Sequence, residues 1–131
     1  MEKHADSDNV YDFPVAGSLR IPVCSADRHE EFYFDIYRSS IRLTKATFQN
    51  RARQSLVLVR IDIDGQPHRN PDSAEIPCPH IHFYREGFGD KWAEPLPEWI
   101  SNPANLRLTF QELLDFCHVV TRPTFREELP I

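Results

Sequence analysis

Apolar residues alternate with polar ones along several separate stretches of this chain. A period of two on that scale commits most of it to β-strand. Leu19, Ile21 and Val23 form one such stretch, and Phe32, Phe34 and Ile36 the next. Residues 41–48 read as a third strand. Val57, Val59, Ile61 and Ile63 give the fourth and the cleanest apolar face. A fifth, over 80–85, sets Ile81 and Phe83 against His80, His82 and Tyr84, because side chains alternate across a strand. Pro22 has no backbone N–H to give, which predicts a sheet edge for the first strand. Ser39-Ser40 fits a short hairpin connection, and Asp64-Gly65 stops the fourth strand.

Helical spacing is clear only near the C-terminus. Thr109-Phe110-Gln111-Glu112 reads as a capping box, with Thr109 as N-cap and Glu112 reaching back. Phe110, Leu113, Leu114 and Cys117 then recur on one stripe, widened by Phe116. Residues 1–13 lack periodicity and read as a flexible leader closed by Pro14. The expectation is one α+β domain over 14–131. It is a curved antiparallel sheet of about five strands, a β-meander, with one helix of about ten residues packed on one face.

Composition narrows the class further. With 40% apolar and 27% charged residues the chain is an ordinary globular protein. No apolar run approaches the roughly 20 residues a spanning helix needs, so no membrane association and a cytoplasmic location are expected. Cys24, Cys78 and Cys117 are far apart and form no CxxC, which disfavours a disulfide framework and a thiolate zinc site. Cys78 has no sequence neighbour that would activate it, and Cys117 lies on the apolar stripe of the helix. Trp92 and Trp99 read as core or loop anchors.

The net charge of −5 is unevenly spread. Residues 38–60 hold six cations (Arg38, Arg42, Lys45, Arg51, Arg53, Arg60) and no carboxylate. Residues 86–131 hold eight acidic and four basic residues. Such a block is either an anion-binding surface or a set of cations answered by acidic neighbours.

Alternation also places the polar residues. Opposite the apolar face lie Tyr33, Asp35 and Tyr37, then Arg42 and Thr44, Arg60 and Asp62, and finally His80, His82 and Tyr84. Consecutive antiparallel strands are usually neighbours, so Arg60 and Asp62 belong beside the histidine pair. Three chemistries fit. Two histidines at i and i+2 can share one divalent ion, Zn or Mn, with Asp62 or His68 as third ligand. His80 and His82 can instead act as catalytic acid and base, with Arg60 or Arg85 stabilising an anionic transition state, as phosphodiester hydrolysis requires. Or the tyrosines and arginines recognise a nucleic acid or a protein partner, a second copy in a homodimer included. The loop over 66–79, with Pro67, Pro71, Pro77 and Pro79, is expected to fold against the histidine strand and bring His68 or Asp72 to it.

Pro79-His80-Ile81-His82-Phe83-Tyr84-Arg85-Glu86-Gly87 and the following Gly89-Asp90-Lys91-Trp92-Ala93 are distinctive together. With His68-Arg69-Asn70-Pro71-Asp72 upstream, the segment resembles a family of small uncharacterised proteins from bacteria and their prophages. The resemblance spans roughly residues 56–96 and extends to the helix. It implies that His68, Asn70, Asp72, His80, His82, Tyr84, Glu86, Asp90 and Trp92 matter jointly, and it carries no activity. A histidine-triad nucleotide hydrolase is excluded, because Tyr84 stands at the third alternating position.

The first expectation is therefore a small binding or regulatory protein of mobile-element type. Its ligand face would comprise Arg42, Arg60, Asp62, His68, Asp72, Tyr84, Arg85 and Glu86. The second is a metal-dependent or histidine acid–base hydrolase built on His80, His82 and Asp62.

Overall fold

A computed structural model of the chain describes residues 1–5 and 8–126. The strands are β1 (Lys3–Ala5), β2 (Val10–Tyr11), β3 (Gly17–Ser25), β4 (Glu31–Arg38), β5 (Ala46–Ala52) and β6 (Leu56–Ile63). They continue as β7 (His68–Arg69), β8 (Glu75–Ile76), β9 (His80–Phe83), β10 (Ala93–Pro95), β11 (Val119–Thr121) and β12 (Thr124–Phe125). Helix α1 (Leu106–Phe116) lies between β10 and β11.

The expected meander is present as β3–β6 with β9 beside β6, but it is only the middle of the sheet. Eight strands run in the order β10-β9-β6-β5-β4-β3-β1-β11. The outer pair β1·β11 is parallel, so the sheet is mixed. The five-stranded antiparallel α+β expectation is thus overturned in favour of a mostly β protein with one helix among the described residues. The first residues are part of the reason. Lys3–Ala5, expected in a flexible leader, pairs with Ser25, Cys24 and Val23 on one side and with β11 on the other. Pro22 is therefore not on an edge strand; it falls one residue beyond the stretch of β3 that β1 covers. No hydrogen bond is lost there for want of its N–H.

The core follows the alternation. Ile21, Phe34, Ile36, Phe48, Ile61 and Ile81 are at most 1% exposed, as are Phe110, Leu113 and Leu114 of α1. Phe110 meets Phe34 edge-on at 6.2 Å and Phe48 at 5.7 Å, so α1 covers the apolar face at the centre of the sheet. Its N-cap is Asn105, whose side chain accepts from the Leu108 N–H, not Thr109. Thr109 is fully buried inside the helix and its hydroxyl donates to the Asn105 carbonyl at 2.9 Å. Glu112 accepts from the Ser101 hydroxyl instead of reaching back to a cap.

The third strand also begins later than its pattern suggests. Residues 39–45 form a loop in which the Ser39 hydroxyl accepts from the Ile41 and Arg42 N–H groups. Ile41 and Leu43 are left 95% and 65% exposed. No helix of the described residues is long and apolar enough to cross a membrane.

Candidate metal centre

The polar side of β6 and β9 carries the histidines. Register pairs Arg60 with His82 and Asp62 with His80. Strand alternation then sends all four side chains to one face, opposite Ile61 and Ile81. The two imidazole rings lie 4.9 Å apart. Both are sealed, at 2% and 0% exposure, under the chain that follows β9 and the loop before it.

Each ring is held from behind by a backbone carbonyl. His82 Nδ1 is 2.8 Å from the Asp90 carbonyl oxygen, and His80 Nδ1 is 3.3 Å from that of Pro77. A carbonyl only accepts, so Nδ1 carries the hydrogen in both rings, and a neutral imidazole then has a lone pair at Nε2. Both Nε2 atoms lie 3.1 Å from the same oxygen, Asp62 Oδ2. Thr47 donates to the other oxygen at 2.9 Å. Burial pushes the Asp62 carboxyl upward; the Arg60 charge and the Thr47 hydroxyl act against it, as does His82 when its Nε2 carries a proton. The group is held well below the usual carboxylate range, fully ionised at neutral pH.

Arg60 closes the cluster. Its Nη2 is 3.0 Å from His82 Nε2, its Nε 3.3 Å from Asp62 Oδ2, and its Nη1 2.7 Å from Asp90 Oδ2. The ligand-type atoms of Asp62, His80 and His82 all lie within 4.8 Å of one another. The side chains of Asp62 and Arg60 keep 21% and 26% exposure and help line an open depression of about 380 Å³ with Asp35, Tyr37, Thr47 and Gln49.

The loop over 66–79 lies against this strand, as expected, though by other contacts. Asn70 is its anchor: the side-chain amide donates to the Ala93 carbonyl at 2.9 Å and accepts from the Ala93 N–H at 2.8 Å. The His68 ring stands edge-on to His82 at 4.6 Å, while its Nε2 donates to the Lys91 carbonyl. Asp72 instead accepts from the Ala74 N–H within its own turn. From the end of the loop the Cys78 thiol reaches back to its start, where it accepts from the Gly65 N–H and donates to the Asp62 carbonyl. Burial raises that thiol above its ordinary value, which keeps it protonated.

Other expected ligand residues are placed elsewhere. Arg42 sits in the 39–45 loop and pairs with Asp64 through two bonds of 2.9 and 2.8 Å. Arg85 stacks over Trp92 at 4.4 Å. Glu86 and Tyr84 are exposed beyond the end of β9. The basic block is largely answered internally, since Arg51 pairs with Asp35 and Arg60 with Asp62 and Asp90. Asp90 and Asn70 belong to the site without an individual signal in the sequence; only their place in the distinctive segment marked them.

A mostly β protein with two buried histidines and one carboxylate converging on the polar side of its sheet is the class these observations define. The chain belongs to a family of unknown function, DUF6978, whose model matches residues 1–119. No curated protein and no solved structure matches it.

Proposed function

We propose that the protein binds a divalent metal ion through Asp62, His80 and His82 and uses it for hydrolysis of a phosphodiester-type substrate entering from the open face. One observation carries this reading: both Nδ1 atoms are turned to carbonyls, so both Nε2 atoms converge on one ionised carboxylate oxygen at 3.1 Å, as two lone pairs when the imidazoles are neutral. Such a set needs a cation beside it, a place that Arg60 fills from one side and that a metal ion would fill for all three groups at once. Carbonyl-anchored imidazoles are also the usual outer shell of a histidine metal site. The spacing suits an ion. Donors about 2.1 Å from a shared metal lie about 3.0 Å apart at octahedral and about 3.4 Å at tetrahedral angles. Imidazole with carboxylate suits Zn, Mn and their first-row neighbours. The ion would polarise a phosphoryl oxygen and acidify a bound water. A nucleic-acid recognition face has weaker support, because its arginines already have carboxylate partners.

Isothermal titration of Zn and Mn into the metal-free full chain tests the site. We expect one ion per chain, with affinity falling roughly a hundredfold or more in His82→Gln and in Asp62→Asn. Hydrolysis of bis(p-nitrophenyl) phosphate should require the ion and vanish in Asp62→Asn. Equal affinity in the variants would remove the site; tight binding without hydrolysis would leave it as a structural centre.

A further inference from the structure

Arg60 occupies a position that an ion at this centre would contest. It reaches both His82 Nε2 at 3.0 Å and Asp62 Oδ2 at 3.3 Å, the two atoms that would turn toward a metal. We propose that Arg60 is a displaceable internal cation. The metal takes its place between His82 and Asp62, and the freed guanidinium, still tethered to Asp90, becomes the subsite for a tetrahedral oxyanion bound beside the ion. This rests on the metal reading above and adds the class of group that the site accepts.

Donor inventory and charge carry it. A guanidinium has five N–H groups, and Arg60 commits three of them, to His82, Asp62 and Asp90. Binding of a metal removes His82 and Asp62 as partners but leaves the Asp90 bond of 2.7 Å, which keeps the planar fork beside the ion. The charge of the cluster changes sign in the process. With neutral imidazoles, Asp62, Asp90 and Arg60 sum to minus one, and a divalent ion brings the sum to plus one. An oxyanion is therefore repelled before the metal arrives and attracted afterwards, when it also separates two neighbouring cations. The open depression beside Arg60 and Asp62 gives it a way in. The nearby Asp35 carboxylate adds no free charge, because Arg51 holds it.

The coupling is reciprocal and can be read from the metal side. Zn is titrated into the full-length protein with and without millimolar sulfate, at constant ionic strength. In the wild type, sulfate should tighten Zn about tenfold. In Arg60→Gln that gain should disappear, and Zn in sulfate-free buffer should bind at least as tightly as in the wild type, since no internal cation competes. Arg60→Lys, which keeps the charge without the fork, should retain only part of the gain, and thermal melts confirm that both variants fold. Sulfate coupling that persists in Arg60→Gln, or a wild type that binds Zn with no response to sulfate, overturns the proposal and leaves the metal site standing. Absence of Zn binding in the wild type overturns both.

Discussion

Asp35 and Arg51 show how a single pair on the polar face ties stability to pH. Arg51 donates through Nε and Nη2 to both oxygens of Asp35, and its guanidinium lies 5.1 Å over the ring of Tyr33. Burial raises the Asp35 carboxyl, but the Arg51 and Gln49 hydrogen bonds lower it further than burial raises it. The folded group therefore ionises at lower pH than the unfolded one, whose value is about 3.9. Its contribution is complete above that value and is lost as pH falls through it toward the folded one. Urea titrations should show a steeper acid loss of stability in the wild type than in Asp35→Asn. Asp35→Ala, which strands a largely buried guanidinium, should cost about 3 kcal/mol at neutral pH. An acid limb unchanged in Asp35→Asn would detach the pair from stability. Much of the face was legible residue by residue, because alternation placed Arg60, Asp62, His80 and His82 on one side. Arg42 was not: the Ser39 turn takes it out of the strand, and no residue-by-residue pattern announces that.

At the level of elements, the helix start and the loop anchor separate what periodicity can reveal from what it cannot. The apolar stripe from Phe110 to Leu114 was readable, and so was the helix. Its beginning was misplaced because Asn105 is as good a cap as Thr109 and stands one turn earlier. Asn105→Ala should cost about 1 kcal/mol in urea unfolding, and no measurable cost would show that the cap is idle. The loop over 66–79 has no periodicity at all. Asn70 nonetheless imitates a strand neighbour by pairing with both backbone groups of Ala93. Asn70→Ala leaves those groups without partners and should cost about 2 kcal/mol, with faster proteolysis inside the loop. Wild-type resistance to protease in that variant would mean that other contacts hold the loop.

For the whole molecule, the sheet extends beyond the meander through pairings that no local pattern encodes. β1, β10 and β11 have three residues each, too few to establish alternation, and Lys3 meets Val119 from the far end of the chain. The Lys3 ammonium adds a bond of 2.7 Å to the Cys117 carbonyl. Deleting residues 1–5 should therefore lower the melting temperature by detaching β11. The histidine strand lies toward the opposite end of the sheet, so Zn affinity should stay within about twofold of the wild type. A parallel loss of both would mean that the two ends are coupled. The metal centre itself is tested most directly by the ion's own coordination shell. X-ray absorption on the Zn-loaded protein should show two imidazole nitrogens and a carboxylate oxygen at about 2.0–2.2 Å. Replacing His82 by Gln should remove one imidazole from that shell. A shell without two histidines, or one that the His82 replacement leaves intact, would contradict the assignment of Asp62, His80 and His82.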